Sequence, residues 1–275
     1  MAAGRELSFP AVMGVVNTTP DSFSDGGTLY QSTGLDLDKA FDRCAKMVEQ
    51  GATILDIGGE STRPGSNPVS VDRELDRVIP LVERISKTLD VAISLDTSTA
   101  KVMTEGANVG AHIINDVRAL RREGALDAAA RTELAVCLMH MQGEPKTMQT
   151  QPEYRDVVAE VNGFLNERIA ACMSAGIAKS RLWIDPGFGF GKTLAHNIEL
   201  MRNIAYFCNG GHPVLVGVSR KSMIGALTGK DVVERMAGGL ALATFALMQG
   251  AHIIRSHDVS ETVDAVKVIT ALKGE

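Results

Sequence analysis

Short apolar runs recur along the chain, and each one ends in polar residues. A strand that is buried on both faces reads as a continuous apolar segment, and polar groups appear where the strand leaves the core. The pattern therefore predicts buried parallel strands. The eight runs are VMGVVN at Asn17, ILDIGGE at Asp56 and Glu60, AISLD at Asp96, HIIN at Asn115, VCLMH at His140, LWID at Asp185, VLVGVSRK at Lys221 and HIIR at Arg255.

Segments with helical spacing lie between these runs. In the first of them, Leu37, Phe41, Ala45 and Val48 fall on one face of a helix. Strand and helix alternate eight times, which favours parallel strands joined by right-handed crossovers. The predicted helices span 37–50, 71–89, 99–109, 125–133, 157–175, 194–207, 223–249 with a break near Gly229, and 259–272.

The alternation predicts an α/β fold, a (β/α)₈ TIM barrel that forms a single domain over residues 1–275. The length is close to the roughly 250 residues typical of this barrel. The loops after the strands share one rim, so we expect the active site at the C-terminal ends of the strands. A doubly wound open sheet is the main competitor, but its ligand groups would concentrate at one switch point rather than follow every strand.

Composition and charge exclude several classes of function. The chain has 28 basic and 33 acidic residues, a net charge of -5 and no sustained basic stripe, so we expect no nucleic-acid partner. Residues 236–254 are uncharged over about the length of a bilayer span, but Gly250 divides this stretch, and we expect no membrane segment. The four cysteines lie far apart without a CxxC pair, which is typical of reduced thiols in a cytoplasmic protein.

Three glycine-rich loops follow predicted strands. The loop DPGFGFGKT at 185–193 lacks the spacing of a P-loop or a dinucleotide fingerprint, which leaves either a flexible loop with Asp185 at its base or a tight turn with a structural Asp185. The loop at 58–66 carries Arg63, whose forked donors suit phosphate oxygens. The loop at 17–27 is equally long and polar, and an ordinary turn is the alternative there.

Two basic clusters strengthen the indication of an anionic ligand. Ser219, Arg220, Lys221 and Ser222 follow a strand and open a helix, where backbone N–H groups favour anions. The second cluster, 255–258, follows the eighth run. Its arginine and histidine point the same way by the two-residue period of a strand, although a lone histidine is usually structural.

These motifs taken together resemble the dihydropteroate synthase family of the folate pathway, the target of sulfonamides. The resemblance covers essentially the whole chain, in the family order. It implies that p-aminobenzoate is joined to 6-hydroxymethyl-7,8-dihydropterin pyrophosphate, with release of pyrophosphate in an SN1-like displacement that forms 7,8-dihydropteroate. The motifs are NTTPDSFSDGG, DIGGESTRPG, SLDT, INDV, MHMQGEP, DPGFGFGK, VSRKS and RSHDV.

The resemblance also implies the roles of individual residues. Pterin binding and catalysis are expected from Asp96, Asn115, Asp185 and Lys221, with the Arg255 guanidinium stacked on the pterin ring. Pyrophosphate is expected to be held by Asn17, Arg63, Arg255 and His257, with Mg²⁺ bridging its oxygens and Asn17 as a metal ligand.

The p-aminobenzoate ring is expected between Thr62, Pro64, Phe190 and the methylenes of Lys221, with Ser222 at its carboxylate and Phe23 above it. By the same resemblance, the loops at 17–27 and 58–66 are mobile covers and the protein is a homodimer. His140 is expected to be structural, and Asp56 and Glu60 mark a strand end without a part in the chemistry.

Two alternatives remain at this point. A methyltetrahydrofolate-dependent methyltransferase shares the fold and the pterin pocket but needs a corrinoid partner and lacks the loops NTTPDSFSDGG and GGESTRPG. A catalytically silent pterin-binding subunit is the second, and the presence of Asn17, Arg63, Lys221 and His257 argues against it.

Overall fold

A computed structural model of the chain describes residues 2–19, 30–31, 34–61, 69–144 and 146–274, with only the backbone at 30, 31 and 34. Four residues with predicted roles, Phe23, Thr62, Arg63 and Pro64, lie outside these ranges. The same holds for most of the predicted cover at 17–27 and for much of the one at 58–66.

Eight parallel strands, β1 to β8, form a barrel within the described part of the chain, which confirms the predicted fold. Their order is β6-β5-β4-β3-β2-β1-β8-β7. A parallel bridge between Ile184 and Val214 joins the two ends of this order, supported by a 2.9 Å hydrogen bond from the Ile184 amide to the Pro213 carbonyl. The strands are β1 Ala11–Asn17, β2 Ile54–Gly58, β3 Ala92–Asp96, β4 Ile113–Asp116, β5 Ala135–Met139, β6 Leu182–Asp185, β7 Leu215–Val216 and β8 Ile253–Ser256.

Helices lie where the apolar spacing predicts them, with one break that it does not predict: the helix at 194–207 is interrupted at Asn203. The helix predicted at 223–249 is broken near Gly229, as expected, into two helices separated by a 3₁₀ turn at Val232–Glu234. Gly229, with a φ of 72°, ends the first of these two helices in the left-handed conformation. The helices are α1 Leu37–Glu49, α2 Val71–Thr88, α3 Ala100–Asn108, α4 Ala125–Ala130, α5 Val157–Ser174, α6 Leu194–Arg202, α7 Ile204–Cys208, α8 Ser222–Thr228, α9 Met236–Met248 and α10 Val259–Lys273.

A short antiparallel pair, Tyr30–Gln31 with Gly34–Leu35, precedes α1. The uncharged stretch at 236–254 is divided between α9 and β8, as expected. Among the described residues, no helix is both long enough and apolar enough to span a membrane.

The inside of the barrel is apolar at the N-terminal ends of the strands and polar at the C-terminal ends. The lower layer includes Met13, Ile54, Ile113, Ile253 and Trp183, and Trp183 is buried against the edge of the Phe9 ring. Side chains in a strand face the same side at every second position. The next inward residues along four of these strands are therefore polar: Asp56 on β2, Asn115 on β4, Asp185 on β6 and Arg255 on β8.

Candidate active site

A cavity of about 680 Å³ opens at the C-terminal ends of the strands. Loops after several strands contribute to its wall, as the predicted rim requires. It also takes in residues with no predicted role, including Glu60, Met148, Gln149 and Val232. Seven of the predicted site residues line it: Asn17, Asp96, Phe190, Lys221, Ser222, Arg255 and His257.

Arg255 lies at the centre of the cavity floor and joins two carboxylates. Its Nε donates to Asp56 Oδ2 at 2.6 Å, and its Nη2 donates to Asp96 Oδ2 at 2.8 Å. Asn115 donates from Nδ2 to the same Asp56 oxygen at 3.1 Å. The four side chains form one hydrogen-bonded cluster from β2, β3, β4 and β8, so each fixes the orientation of the next.

The carboxylates in this cluster are poorly solvated. Burial and, to a smaller extent, the neighbouring Asp56 raise the pKa of Asp96 to about 7, although Arg255 opposes the shift. A carboxylate with such a pKa changes charge near neutral pH. Asp96 can therefore respond to a ligand that donates hydrogen bonds by losing its proton.

Asp185 and Lys221 form the second charged part of the site. Asp185 is buried, and its Oδ1 accepts a 2.7 Å hydrogen bond from the Gly187 amide. Burial raises the pKa of Asp185, whereas the charge of Lys221 lowers it. Burial lowers the pKa of Lys221 to about 8, although Asp185 opposes this shift. The Lys221 ammonium donates to the Phe188 carbonyl and lies 4.8 Å from the centroid of the Phe190 ring.

Asn115 and Asp185 do not line the cavity itself. Asn115 is the register partner of Asp96 on the adjacent strand, and Asp185 ends β6 beside Met139. Both side chains are almost fully buried, with exposed fractions of 4%. The predicted pterin group thus divides into Asp96, Lys221 and Arg255 at the cavity and two residues packed behind its wall.

The loops after β7 and β8 bring further charged and polar groups to the cavity. The His257 amide donates to Ser219 Oγ at 3.1 Å, and Arg220 forms an ion pair of 2.5 Å with Asp258. Both Arg255 and His257 line the cavity, as the strand period predicts. Ser256 points away, is buried, and bonds Thr262 through the two hydroxyls at 2.9 Å.

Comparisons with known proteins identify the family. A family model described as "Pterin binding enzyme" matches residues 13–257. The dihydropteroate synthase of Escherichia coli K12 is 58% identical over 266 residues, which are 97% of this chain and 93% of that relative. The chain belongs to the dihydropteroate synthase family.

Solved structures of this family superimpose closely on the barrel. The Yersinia pestis dihydropteroate synthase in complex with a sulfonamide drug has a TM-score of 0.96 at 50% identity, over 100% of this chain and 99% of that one. The Xanthomonas albilineans dihydropteroate synthase with 4-aminobenzoic acid has a TM-score of 0.89 at 48% identity, over 97% and 94% of the two chains. These relatives are dihydropteroate synthases, which does not favour the alternative of a corrinoid methyltransferase.

Asp56 was not assigned to the site from the sequence. Asp56 was interpreted as marking a strand end, but it lies in the middle of β2, is fully buried and holds both Arg255 and Asn115. A carboxylate inside an apolar run was the available signal, because a buried charge requires a partner. In this member of the dihydropteroate synthase family, Asp56 belongs to the polar cluster on the floor of the cavity.

His140, which the sequence predicted to be structural, is buried outside the cavity lining and packs on the Phe164 ring at a centroid distance of 5.0 Å. Glu60 lines the cavity and pairs with Arg118 at 3.2 Å. It therefore lies at the site rather than merely at a strand end.

Proposed function

We propose that this member of the dihydropteroate synthase family catalyses the condensation of p-aminobenzoate with 6-hydroxymethyl-7,8-dihydropterin pyrophosphate. The observation that carries this proposal is the convergence of Asp96, Lys221, Arg255 and His257 on one cavity at the C-terminal end of the barrel. This set combines acceptors for a donor-rich heterocycle with cations for an anionic leaving group. The products are 7,8-dihydropteroate and pyrophosphate.

The pterin binds at the floor of the cavity. Its amino-pyrimidine edge carries N–H donors, which suit the Asp96 carboxylate and, behind the wall, Asp185 and Asn115. Lys221 suits the acceptor-bearing edge, and the guanidinium plane of Arg255 suits the ring face. Because these groups are held by mutual bonds before the ligand binds, little ordering cost remains for binding.

The leaving group binds among the cations at the other end. The C–O bond to pyrophosphate breaks, the electron pair leaves with the phosphate oxygen, and the remaining methylene cation is conjugated with the electron-rich dihydropterin. The amine nitrogen of p-aminobenzoate then forms the new C–N bond and loses a proton. Arg255 and His257, together with Arg63 from outside the described ranges, would stabilise the charge that develops on pyrophosphate.

A magnesium ion fits this end of the site. Mg²⁺ usually takes only one or two protein ligands and completes its coordination with phosphate oxygens and waters, so a single amide oxygen beside the pyrophosphate would suffice. Asn17, at the end of β1 and in the cavity wall, would supply an amide oxygen. The ion would neutralise charge on the departing pyrophosphate.

The second substrate binds between Phe190 and the methylenes of Lys221, with Ser222 near its carboxylate. These three residues line adjoining parts of the cavity. Thr62, Pro64 and Phe23 would complete this slot from the loops outside the described ranges, and both loops would close over the bound substrates. Sulfonamides, which one relative binds, would occupy the same slot.

The proposed activity is tested by release of pyrophosphate. Purified protein with Mg²⁺ and both substrates is expected to release pyrophosphate and form 7,8-dihydropteroate in equal amounts, as measured by a coupled phosphate assay and by chromatography. Omission of p-aminobenzoate should reduce the release. Release that stays at background while the protein still binds a pterin would instead indicate the silent pterin-binding subunit.

Pterin affinity is expected to depend on pH through Asp96 and Lys221. A ligand that donates to Asp96 binds the ionised carboxylate, so the pKa of about 7 predicts that affinity falls as pH decreases below 7. The fall approaches about tenfold per pH unit. Lys221 loses its charge above a pKa of about 8, so the optimum should lie between these values.

Calorimetric titration with a pterin at pH 6 and pH 7.5, in two buffers that differ in ionisation enthalpy, measures both the affinity and the released proton. Asp96→Asn should lose the dependence below pH 7. Equal affinity of the unmodified protein at pH 6 and pH 7.5 would contradict this role of Asp96.

We further infer a homodimer, formed through α9 and α10. Five large apolar side chains are exposed there: Met236, Phe245, Met248, Val268 and Leu272 have exposed fractions of 38%, 39%, 61%, 57% and 77%. The two helices are packed on each other, so these side chains can form one self-complementary surface. Light scattering should give twice the monomer mass, and Met248→Glu with Leu272→Glu should give the monomer.

The widely spaced thiols, three of them buried, support a place in the reducing cytoplasm.

A further inference from the structure

The loop that follows β6 is held by an unusual set of side-chain donors. It consists of alternating glycine and phenylalanine over residues 187–191, with positive φ at all three glycines. Each of its five carbonyl oxygens accepts a hydrogen bond from a side chain. The donors are Lys192 to Gly187 and Phe190, Lys221 to Phe188, Gln149 to Gly189, and Tyr154 to Gly191.

Lys192 provides two of these bonds from a buried position. Its exposed fraction is 3%, and its ammonium lies 2.9 Å from the Gly187 carbonyl and 3.0 Å from that of Phe190. His140 Nδ1 lies 2.8 Å from the same nitrogen. A buried ammonium is costly, and an apolar side chain of similar length would avoid that cost. Its position therefore indicates a specific use.

The imidazole of His140 is suited to accept from this ammonium. Burial and the charge of Lys192 both lower the pKa of His140, which keeps the ring neutral and leaves Nδ1 as an acceptor. The ring is fixed by Phe164 and Tyr154, at centroid distances of 5.0 and 6.0 Å. The close approach of the loop to this segment depends on glycine, because a Cβ at position 187 would lie 1.8 Å from the His140 carbonyl oxygen.

The two carbonyls held by Lys192 differ in their other support. The Gly187 carbonyl also accepts from the Phe190 amide at 3.1 Å, and the Gly187 amide is bound by Asp185. The backbone of Phe190 makes the turn bond through its amide and accepts the bond from Lys192 at its carbonyl. Loss of Lys192 should therefore affect Phe190, which lines the cavity, more than Asp185, which lies behind its wall.

We propose that Lys192, held by His140, is a positioning residue for the aromatic-amine subsite: its hydrogen bond to the Phe190 carbonyl fixes the Phe190 ring beside Lys221. This role rests on the proposed function, because it assigns that wall of the cavity to p-aminobenzoate. Lys192 touches neither the cavity nor the reacting atoms and acts only through the loop.

Lys192→Met is the direct test, since it keeps an unbranched side chain that is only one atom shorter and removes its donors. The KM for p-aminobenzoate is expected to increase about fivefold, because one intramolecular hydrogen bond contributes about 1 kcal/mol net. The calorimetric Kd for a pterin should change less than threefold. Amide hydrogen exchange at Gly189 and Phe190 should accelerate, whereas the exposed-site control Lys179→Met should change none of these quantities.

A second pair of variants tests His140 and remains informative if Lys192→Met does not fold. His140→Asn places an amide oxygen near the position of Nδ1, and His140→Leu offers no acceptor. The asparagine variant should keep the wild-type KM for p-aminobenzoate within about twofold, and the leucine variant should show an increase of about threefold or more. Equal values in the two variants would refute the pairing.

An unchanged KM together with unchanged loop exchange in Lys192→Met would overturn the proposal. A drop in kcat with both KM values unaltered would also overturn it, because that pattern reports a general structural loss. If the unmodified protein released no pyrophosphate, the proposed function would fail on its own. The exchange rates at Gly189 and Phe190 would then still decide whether Lys192 fixes the loop.

Discussion

Replacing Arg255 with leucine is expected to lower turnover by about three orders of magnitude and to destabilise the fold. The guanidinium bonds Asp56 at 2.6 Å and Asp96 at 2.8 Å, and Asp56 is fully buried. Removing one partner of a buried ion pair costs about 3–5 kcal/mol, because the remaining charge is uncompensated. The same variant loses the cation that faces both the pterin and the pyrophosphate.

The loss of stability in Arg255→Leu should depend on pH with a definite sign. Arg255 lowers the pKa of Asp96, so its removal raises that pKa further above the value of the unfolded chain. The folded variant then binds a proton that the unfolded chain releases, and stability falls as pH rises. Urea unfolding should show a larger difference from wild type at pH 8 than at pH 6.

Arg255→Lys is the matched control for charge. Lysine keeps one cation but cannot bond two carboxylates through a planar fork, so we expect intermediate stability and turnover still reduced at least tenfold. Wild-type turnover in Arg255→Leu, or a stability difference that does not vary between pH 6 and pH 8, would contradict the assigned geometry.

Asp185→Asn is expected to weaken pterin binding about a hundredfold, the second largest effect. The substitution keeps the size of a buried side chain but removes its negative charge. The charge of Asp185 raises the pKa of Lys221 against the effect of burial, so the variant should have a lower Lys221 pKa. Two consequences add: the acceptor behind the cavity wall loses its charge, worth about 1.5–3 kcal/mol to a donor that reaches it, and Lys221 becomes neutral at a lower pH. Calorimetric titration with a pterin at pH 7.5 measures the change.

Two controls separate this effect from general damage. Ser222→Ala, at the other end of the cavity, should raise the KM for p-aminobenzoate severalfold and leave pterin affinity unchanged. Asp127→Asn, on the exposed face of α4, should change neither quantity. If Asp185→Asn bound a pterin as tightly as the unmodified protein, Asp185 would have to be removed from the pterin site.

The sequence predicted the barrel and its polar rim well, because both follow from local periodicity. Burial on both faces makes a strand apolar throughout, and the end of burial is visible as a polar residue such as Asn17 or Arg255. The division of 194–207 at Asn203 was not visible, because an apolar pattern continues through a local break in a helix.

The hydrogen bonds and ion pairs within the site were harder to predict from the sequence. Asp56 and Arg255 are 199 positions apart, and no local pattern indicates that they bond. Lys192 had no predicted role, because the sequence of a loop does not show which carbonyls a side chain reaches. The residue types at strand ends can be predicted from the sequence. Which side chains bond each other across the barrel depends on how the barrel closes, and the sequence does not show this.

The tryptophan beneath the polar layer gives the enzyme a built-in optical reporter. Trp183 is the single tryptophan of the chain, has an exposed fraction of 2%, and lies two residues before Asp185 on the same strand. A buried indole emits at short wavelengths, and a reduced pterin held in the cavity above it absorbs in the near ultraviolet. Energy transfer between them would turn occupancy of the cavity into a change in emission, without labelling the protein.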